Sequence, residues 1–127
     1  MENALIVSST DAGIKALFDL LKDLRLQDVQ FAMNGGEGRR RLVGKDYSLA
    51  VINTPLRDEF GTHLAQHFAE QSGAGILLLV KPEYYSDVSA QVTPCGVLTL
   101  QKPTSPQMML QCTELLCGTR ERLRRME

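Results

Sequence analysis

Short apolar runs, each too brief for a helix, punctuate the chain at residues 4–7, 49–52 and 76–80, and a further short strand is expected over Val29-Gln30-Phe31-Ala32-Met33. The runs at 49–52 and 76–80 have no polar residue at either alternate position. That is the pattern of strands covered on both faces, as in the middle of a parallel sheet. The first of these two sits in Ser48-Leu49-Ala50-Val51-Ile52-Asn53-Thr54-Pro55-Leu56. Pro55 lacks a backbone donor and biases Thr54 towards extended geometry, so the strand is expected to stop near Asn53. The second is ended by Lys81-Pro82, and a last strand is expected over residues 95–100, ended by Gln101-Lys102-Pro103.

Between the strands the period changes to that of a helix. Ile14, Leu17, Phe18, Leu21 and Leu24 recur on one side, with Lys15, Asp19, Lys22 and Asp23 opposite, behind the cap-forming cluster Ser8-Ser9-Thr10-Asp11. Residues 34–38 read as a turn into a two-turn helix that stops at Gly44. A helix is expected over 58–71 with Phe60, Leu64 and Phe68 stacked on one side, and a weak one over 83–92. Ser105-Pro106 is a serine cap with proline at the first helical position, and Met109, Cys112, Leu116 and Leu123 follow.

Strand and helix thus alternate five times, the signature of an α/β chain wound on both sides of a parallel sheet. The expected architecture is a flavodoxin-like three-layer sandwich, five strands in the order 2-1-3-4-5 with helices on both faces. Strands 1 and 3 meet at the switch point, where ligands bind at the strands' carboxyl ends. Ser8, Ser9 and Asn53 fall there.

At 127 residues the chain is one domain's worth, and its net charge of −1 gives no global field for nucleic acid or membranes. No run approaches membrane-spanning length, and Met1-Glu2-Asn3 lacks the basic start of a signal peptide. Cys95, Cys112 and Cys117 form no CxxC and read as reduced, cytoplasmic thiols filling space. His63 and His67 share a helix face but have no third ligand, so a solvated pair is expected and no metal site. Residues 35–38 lack the spacing and lysine of a phosphate loop. Of Tyr84 and Tyr85, one ring is expected to cover core and the other to lie exposed.

The stretch SLAVINTPL, where receivers commonly read DLVLLDxxLP, and Lys102-Pro103 closing the last strand resemble the receiver domain of two-component response regulators. The resemblance runs to about Leu116. A receiver carries an acidic pair after strand one, a phospho-accepting Asp after strand three and a hydroxyl after strand four. In strand five it has an aromatic switch residue and then the Lys before Pro. Carried over by position, these become Ser8 and Ser9, Asn53, Val80, Thr99 and Lys102, and only Lys102 keeps its type.

An amide has no anionic oxygen to attack phosphorus. Magnesium needs hard oxygen ligands, usually carboxylates. Val80 cannot bond a phosphoryl oxygen, and Thr99 has no ring to swing. The resemblance therefore implies a degenerate pocket: a pseudo-receiver that is not an enzyme, with no catalytic residue, no cofactor and magnesium binding weak or absent. Lys102 is expected to bond Asn53 or nearby carbonyls. In receivers the corresponding Lys-Pro bond is usually cis, a state this sequence leaves open.

Within receivers, ALIVSST, NGGEGRRRL, INTPLRDEFG, AGILLLVK and LQKPTSPQMM resemble the N-terminal domain of ANTAR-type antitermination regulators. That family joins a receiver through a coiled coil to a three-helix RNA-binding module. The residues here hold no such module, so RNA would be reached only through an effector domain absent from this chain. Residues 1–118 are expected to form the receiver-like domain. Residues 119–127, with four arginines, would be a helical extension starting a linker or coiled coil, in a piece of a longer protein or a stand-alone remnant.

The implied function is contact with a signalling protein and homodimerisation in transcriptional control, with Leu98, Leu100, Met109, Cys112 and Leu116 as the dimer face. Two alternatives stand beside it. One is a phosphoryl-accepting switch with magnesium and a displaced Asp11, Asp46 or Asp58. The other is a sensor holding an anion over Lys102.

Overall fold

The computed structural model describes residues 3–22, 24 and 26–126, with side chains to Cys117. The expectations for Met1-Glu2, for Asp23, and for the side chains of Leu123 and the arginines near the C-terminus lie outside the described residues. In chain order the elements are β1 (Asn3–Val7), α1 (Asp11–Leu21), β2 (Asp28–Ala32), α2 (Gly35–Gly44) and β3 (Leu49–Asn53). There follow α3 (Gly61–Gln71), β4 (Gly75–Val80), α4 (Tyr85–Val92), β5 (Leu98–Gln101) and α5 (Pro106–Met126). The sheet is parallel throughout, in the order β2-β1-β3-β4-β5. This is the topology the sequence pattern predicts.

Alternation along the central strands divides the core in two, because successive side chains point to opposite faces. Leu5, Val7, Ala50, Ile52, Ile76, Leu78 and Val80 face α2, α3 and α4, where Leu64 and Phe68 meet them. Ala4, Ile6, Leu49, Val51, Leu77 and Leu79 face α1 and α5, against Leu17, Leu21 and Met109. Each fully buried Leu or Ile contributes about 1.5–3 kcal/mol. The sheet is therefore held rigidly between two apolar layers, and its carboxyl ends are a fixed platform.

Several local expectations are corrected. The last strand starts at Leu98, because residues 93–95 form a 3-10 turn ended by Gly96 at φ 84°. Cys95 is exposed in that turn. α3 starts at Gly61, with Phe60 as its N-cap residue and 74% exposed, so Phe60 does not stack with Leu64 and Phe68. Gly35, Gly36 and Gly38 lie inside α2. Asn34 Oδ1 accepts from Glu37 N at 2.8 Å and Glu37 Oε2 accepts from Met33 N at 3.1 Å, which starts the helix earlier than the glycines suggest. Phe18 is half-exposed and packs on Phe31, ring centroids 5.9 Å apart. Of the two tyrosines, Tyr85 is the one that packs against the core and Tyr84 the exposed one, a choice the sequence left open.

The residues expected at a dimer face lie on the inner side of β5 and α5. Met109 and Cys112 are buried in the domain's own core, and Leu98, Leu100 and Leu116 pack against that cluster. Helical spacing shows that these residues share a side; it does not show that the side points inward. Among the described side chains of α5, the exposed large apolar ones are Met108, Leu110 and Leu115.

Candidate functional site

Two adjoining features occupy the carboxyl end of the sheet. The first is the crevice at the switch point between β1 and β3. Ser8 follows β1 and is buried, and Asn53 ends β3. Asn53 Nδ2 donates to Ser8 Oγ at 3.1 Å, and Asn53 Oδ1 accepts from Lys102 Nζ at 3.0 Å. Lys102 Nζ also donates to the Thr54 carbonyl. One amide thus uses its donor and its acceptor on two different elements. The Lys102-Pro103 bond is cis, and so is Thr54-Pro55.

α1 closes the crevice from above. Its cap, Thr10 Oγ1, accepts from Gly13 N at 3.0 Å. A Cβ at Gly13 would lie 2.2 Å from Ser8 Oγ and 2.9 Å from Asn53 Nδ2. The helix comes this close only because residue 13 has no side chain. Nothing local in the chain announces that approach, since Gly13 sits within an ordinary helical pattern.

The electrostatics follow from the residue types. Neither Ser8, Ser9 nor Asn53 carries charge. Lys102 is held below its ordinary value, first by burial and then by the positive charge of Lys81. The chemistry open to this crevice is hydrogen bonding: no carboxylate stands among the expected pocket positions to take a phosphoryl group or hold magnesium.

The remaining predicted positions sit apart from that chain of bonds. Ser9 Oγ accepts from Arg57 N at 3.1 Å, which fastens the β3–α3 loop. The Val80 carbonyl accepts from Lys102 N at 2.8 Å. Thr99 is buried in β5 opposite Leu78, and its hydroxyl has no hydrogen-bond partner among the described residues. Of the three candidate displaced carboxylates, Asp11 begins α1 and Asp46 precedes β3. Asp58 caps α2 from a distance: its two oxygens accept from Gly35 N at 2.8 Å and Gly36 N at 2.9 Å. Those bonds hold its carboxyl below the usual range.

The second feature is a groove of about 900 Å³ between the β3–α3 loop, the start of α3, and α4 with the 3-10 turn Pro82–Tyr84 before it. Thr54 and Val80 lie in its wall, with Arg57, Phe60, His63, Lys81 and Tyr84. Phe60 and His63 meet edge to face at 5.5 Å. Sequence reasoning missed this groove. The available signal was a cation and an aromatic residue shortly after each of two adjacent strands, Arg57 with Phe60 and Lys81 with Tyr84. Among the described residues no group of three or more His, Cys, Asp or Glu side chains is placed to hold a metal ion. No helix of the described residues is long and apolar enough to cross a membrane.

No family model matches the chain, and no curated protein does. Solved structures do match. The signal receiver domain of an HD domain-containing protein from Pseudomonas fluorescens Pf-5 superposes with TM-score 0.85 at 20% identity, covering 98% of this chain and 92% of that one. A CheY-like response regulator receiver domain protein from Methanospirillum hungatei JF-1 gives 0.81 at 20% identity, over 96% and 98% of the two chains. A response regulator receiver domain protein from Clostridium thermocellum gives 0.87 at 13% identity, over 97% and 99%. At such identities the likeness establishes the fold: this chain has the CheY-like receiver fold over nearly its whole length.

Proposed function

We propose that this protein is a non-catalytic pseudo-receiver that works by protein contact in bacterial signal transduction. The observation that carries the reading is the closed bond chain Ser8–Asn53–Lys102. It fills the place where the fold would take up phosphate and metal with side chains satisfied by one another. Asp58, in the loop after β3, spends both oxygens on α2, which speaks against a displaced acceptor there. The likeness of its sequence blocks to ANTAR-type regulators supports a place in transcriptional antitermination, with RNA reached through an effector domain and the domain itself in the cytoplasm. Pairing of two copies would use the outward residues of α5, Met108, Leu110 and Leu115, since Met109 and Cys112 are inside.

The test is an amide NMR spectrum before and after magnesium with beryllofluoride, a stable mimic of an acyl phosphate. The signals of Ser8, Asn53 and Lys102 are expected to stay in place at about millimolar magnesium. Saturable movement there would show a working acceptor site and overturn the reading.

A further inference from the structure

The groove beside the crevice has charges and rings that the fold does not use. Arg57 and Lys81 both line it, and neither forms an ion pair among the described residues. The two carboxylates in the same wall are already engaged. Asp58 accepts from the α2 amides, and Glu59 takes both a 3.0 Å and a 2.7 Å bond from Arg39. Arg39 offsets the charge of Glu59, and Asp58 stays charged but turns its oxygens to α2, so Arg57 and Lys81 are the lining cations without an ion pair among the described residues.

Its aromatic side is largely open to solvent, with one edge-to-face contact from Phe60 to His63. Phe60 is 74% and Tyr84 57% exposed, the two rings standing on the loop and the turn that flank the same opening. Large rings left in water on both sides of one concavity cost free energy that a flat apolar guest would recover. A volume of about 900 Å³ lies in the range of small-molecule sites, roughly 300–1,000 Å³. The demand is for one molecule with a planar face and an anionic group.

We propose that this groove binds a nucleoside phosphate, its base against Phe60 and Tyr84 and its phosphate against Arg57 and Lys81. The site is distinct from the Ser8–Asn53–Lys102 crevice and goes beyond the contact function proposed above. Thr54 and Lys81 border both, so a bound anion also offsets the repulsion between Lys81 and Lys102. Occupancy of the groove would in this way be felt at the crevice.

The experiment titrates the four common nucleoside monophosphates into the protein and follows its amide spectrum, with adenosine and inorganic phosphate as half-ligands. At least one nucleotide is expected to give saturable shifts over residues 57–63 and 81–84 with a dissociation constant below about 1 mM. Each half-ligand should bind about tenfold more weakly or worse, and Lys81→Gln and Tyr84→Ala should each weaken binding about tenfold. Both residues are exposed, so the variants keep the fold, and an unchanged spectrum elsewhere verifies it. Failure of all four nucleotides to saturate by about 10 mM overturns the proposal. So does binding indifferent to both substitutions. Shifts at these residues that follow protein concentration without nucleotide would give the groove to a second copy and overturn it too.

Discussion

Crevice and groove stand side by side at one end of one sheet, yet they are opposites. In the crevice, Ser8, Asn53 and Lys102 satisfy one another and Gly13 seals them in. In the groove, Arg57 and Lys81 form no ion pair among the described residues, Phe60 and Tyr84 stand largely in solvent, and the carboxylates beside them are turned to α2. Where polar groups are paired internally, a site has become structure. Where they are left unpaired around a concavity, it remains available to a ligand. The fold alone makes the crevice look like the functional centre; the bonding pattern points to its neighbour.

That contrast is open to graded tests. The largest effect is expected at Gly13. Gly13→Ala places a methyl group against Ser8 Oγ and Asn53 Nδ2 and should destabilise the protein by about 1–3 kcal/mol, read as a lowered urea midpoint. A neutral outcome would mean that the crevice has room, and the contrast would dissolve. Next comes Lys102→Met, which leaves Asn53 Oδ1 and the Thr54 carbonyl without their donor. Because the site is half-buried, the cost should be about 1–2 kcal/mol, within the range for an orphaned acceptor.

A smaller effect is expected with pH. Lys102 is depressed in the folded state by burial and by Lys81, relative to its ordinary 10.5. Below the folded value both states hold the proton, and the penalty of burying the charge counts in full. As pH rises through the folded value towards 10.5, the native state releases its proton while the unfolded chain retains it, so this group's contribution to stability increases. Urea titrations at alkaline pH, carried up to the ordinary 10.5, should show the increase in the wild type, and Lys102→Met should lack it. A wild type and variant that run parallel would mean that the ammonium is solvated. Least of all, Lys81→Gln and Tyr84→Ala should change stability by less than about 0.5 kcal/mol, since neither side chain is used by the fold. A larger loss would make the groove structural after all.

What the sequence disclosed, and what it hid, follows from the range of the interactions. β3 and β4 are legible because both their faces are covered, so every position must be apolar. The serine cap before α5 is legible because Ser105 Oγ accepts from Met108 N only three residues away. The start of α3 is not, since Asp58 is drawn off to amides of α2 far upstream, and nothing next to it records that pull. The meeting of Asn53 with Ser8 and Lys102 could be anticipated once the strand order was known. The inward turn of Met109 and Cys112 could not, because an amphipathic helix reveals its apolar side before it reveals its neighbour. The groove is hardest of all to read, being defined by contacts that are missing between separate elements.

The pair of hydrogen bonds that Asp58 accepts from Gly35 and Gly36 has a mechanical consequence. The loop after β3 cannot swing away without unseating the first turn of α2, and Arg39 with Glu59 adds a second rivet across the same joint. Loop and helix therefore move as a single lever. The two glycine amides serve as its gauge: their exchange with solvent reads how often the lever opens, whatever it is that pushes on it.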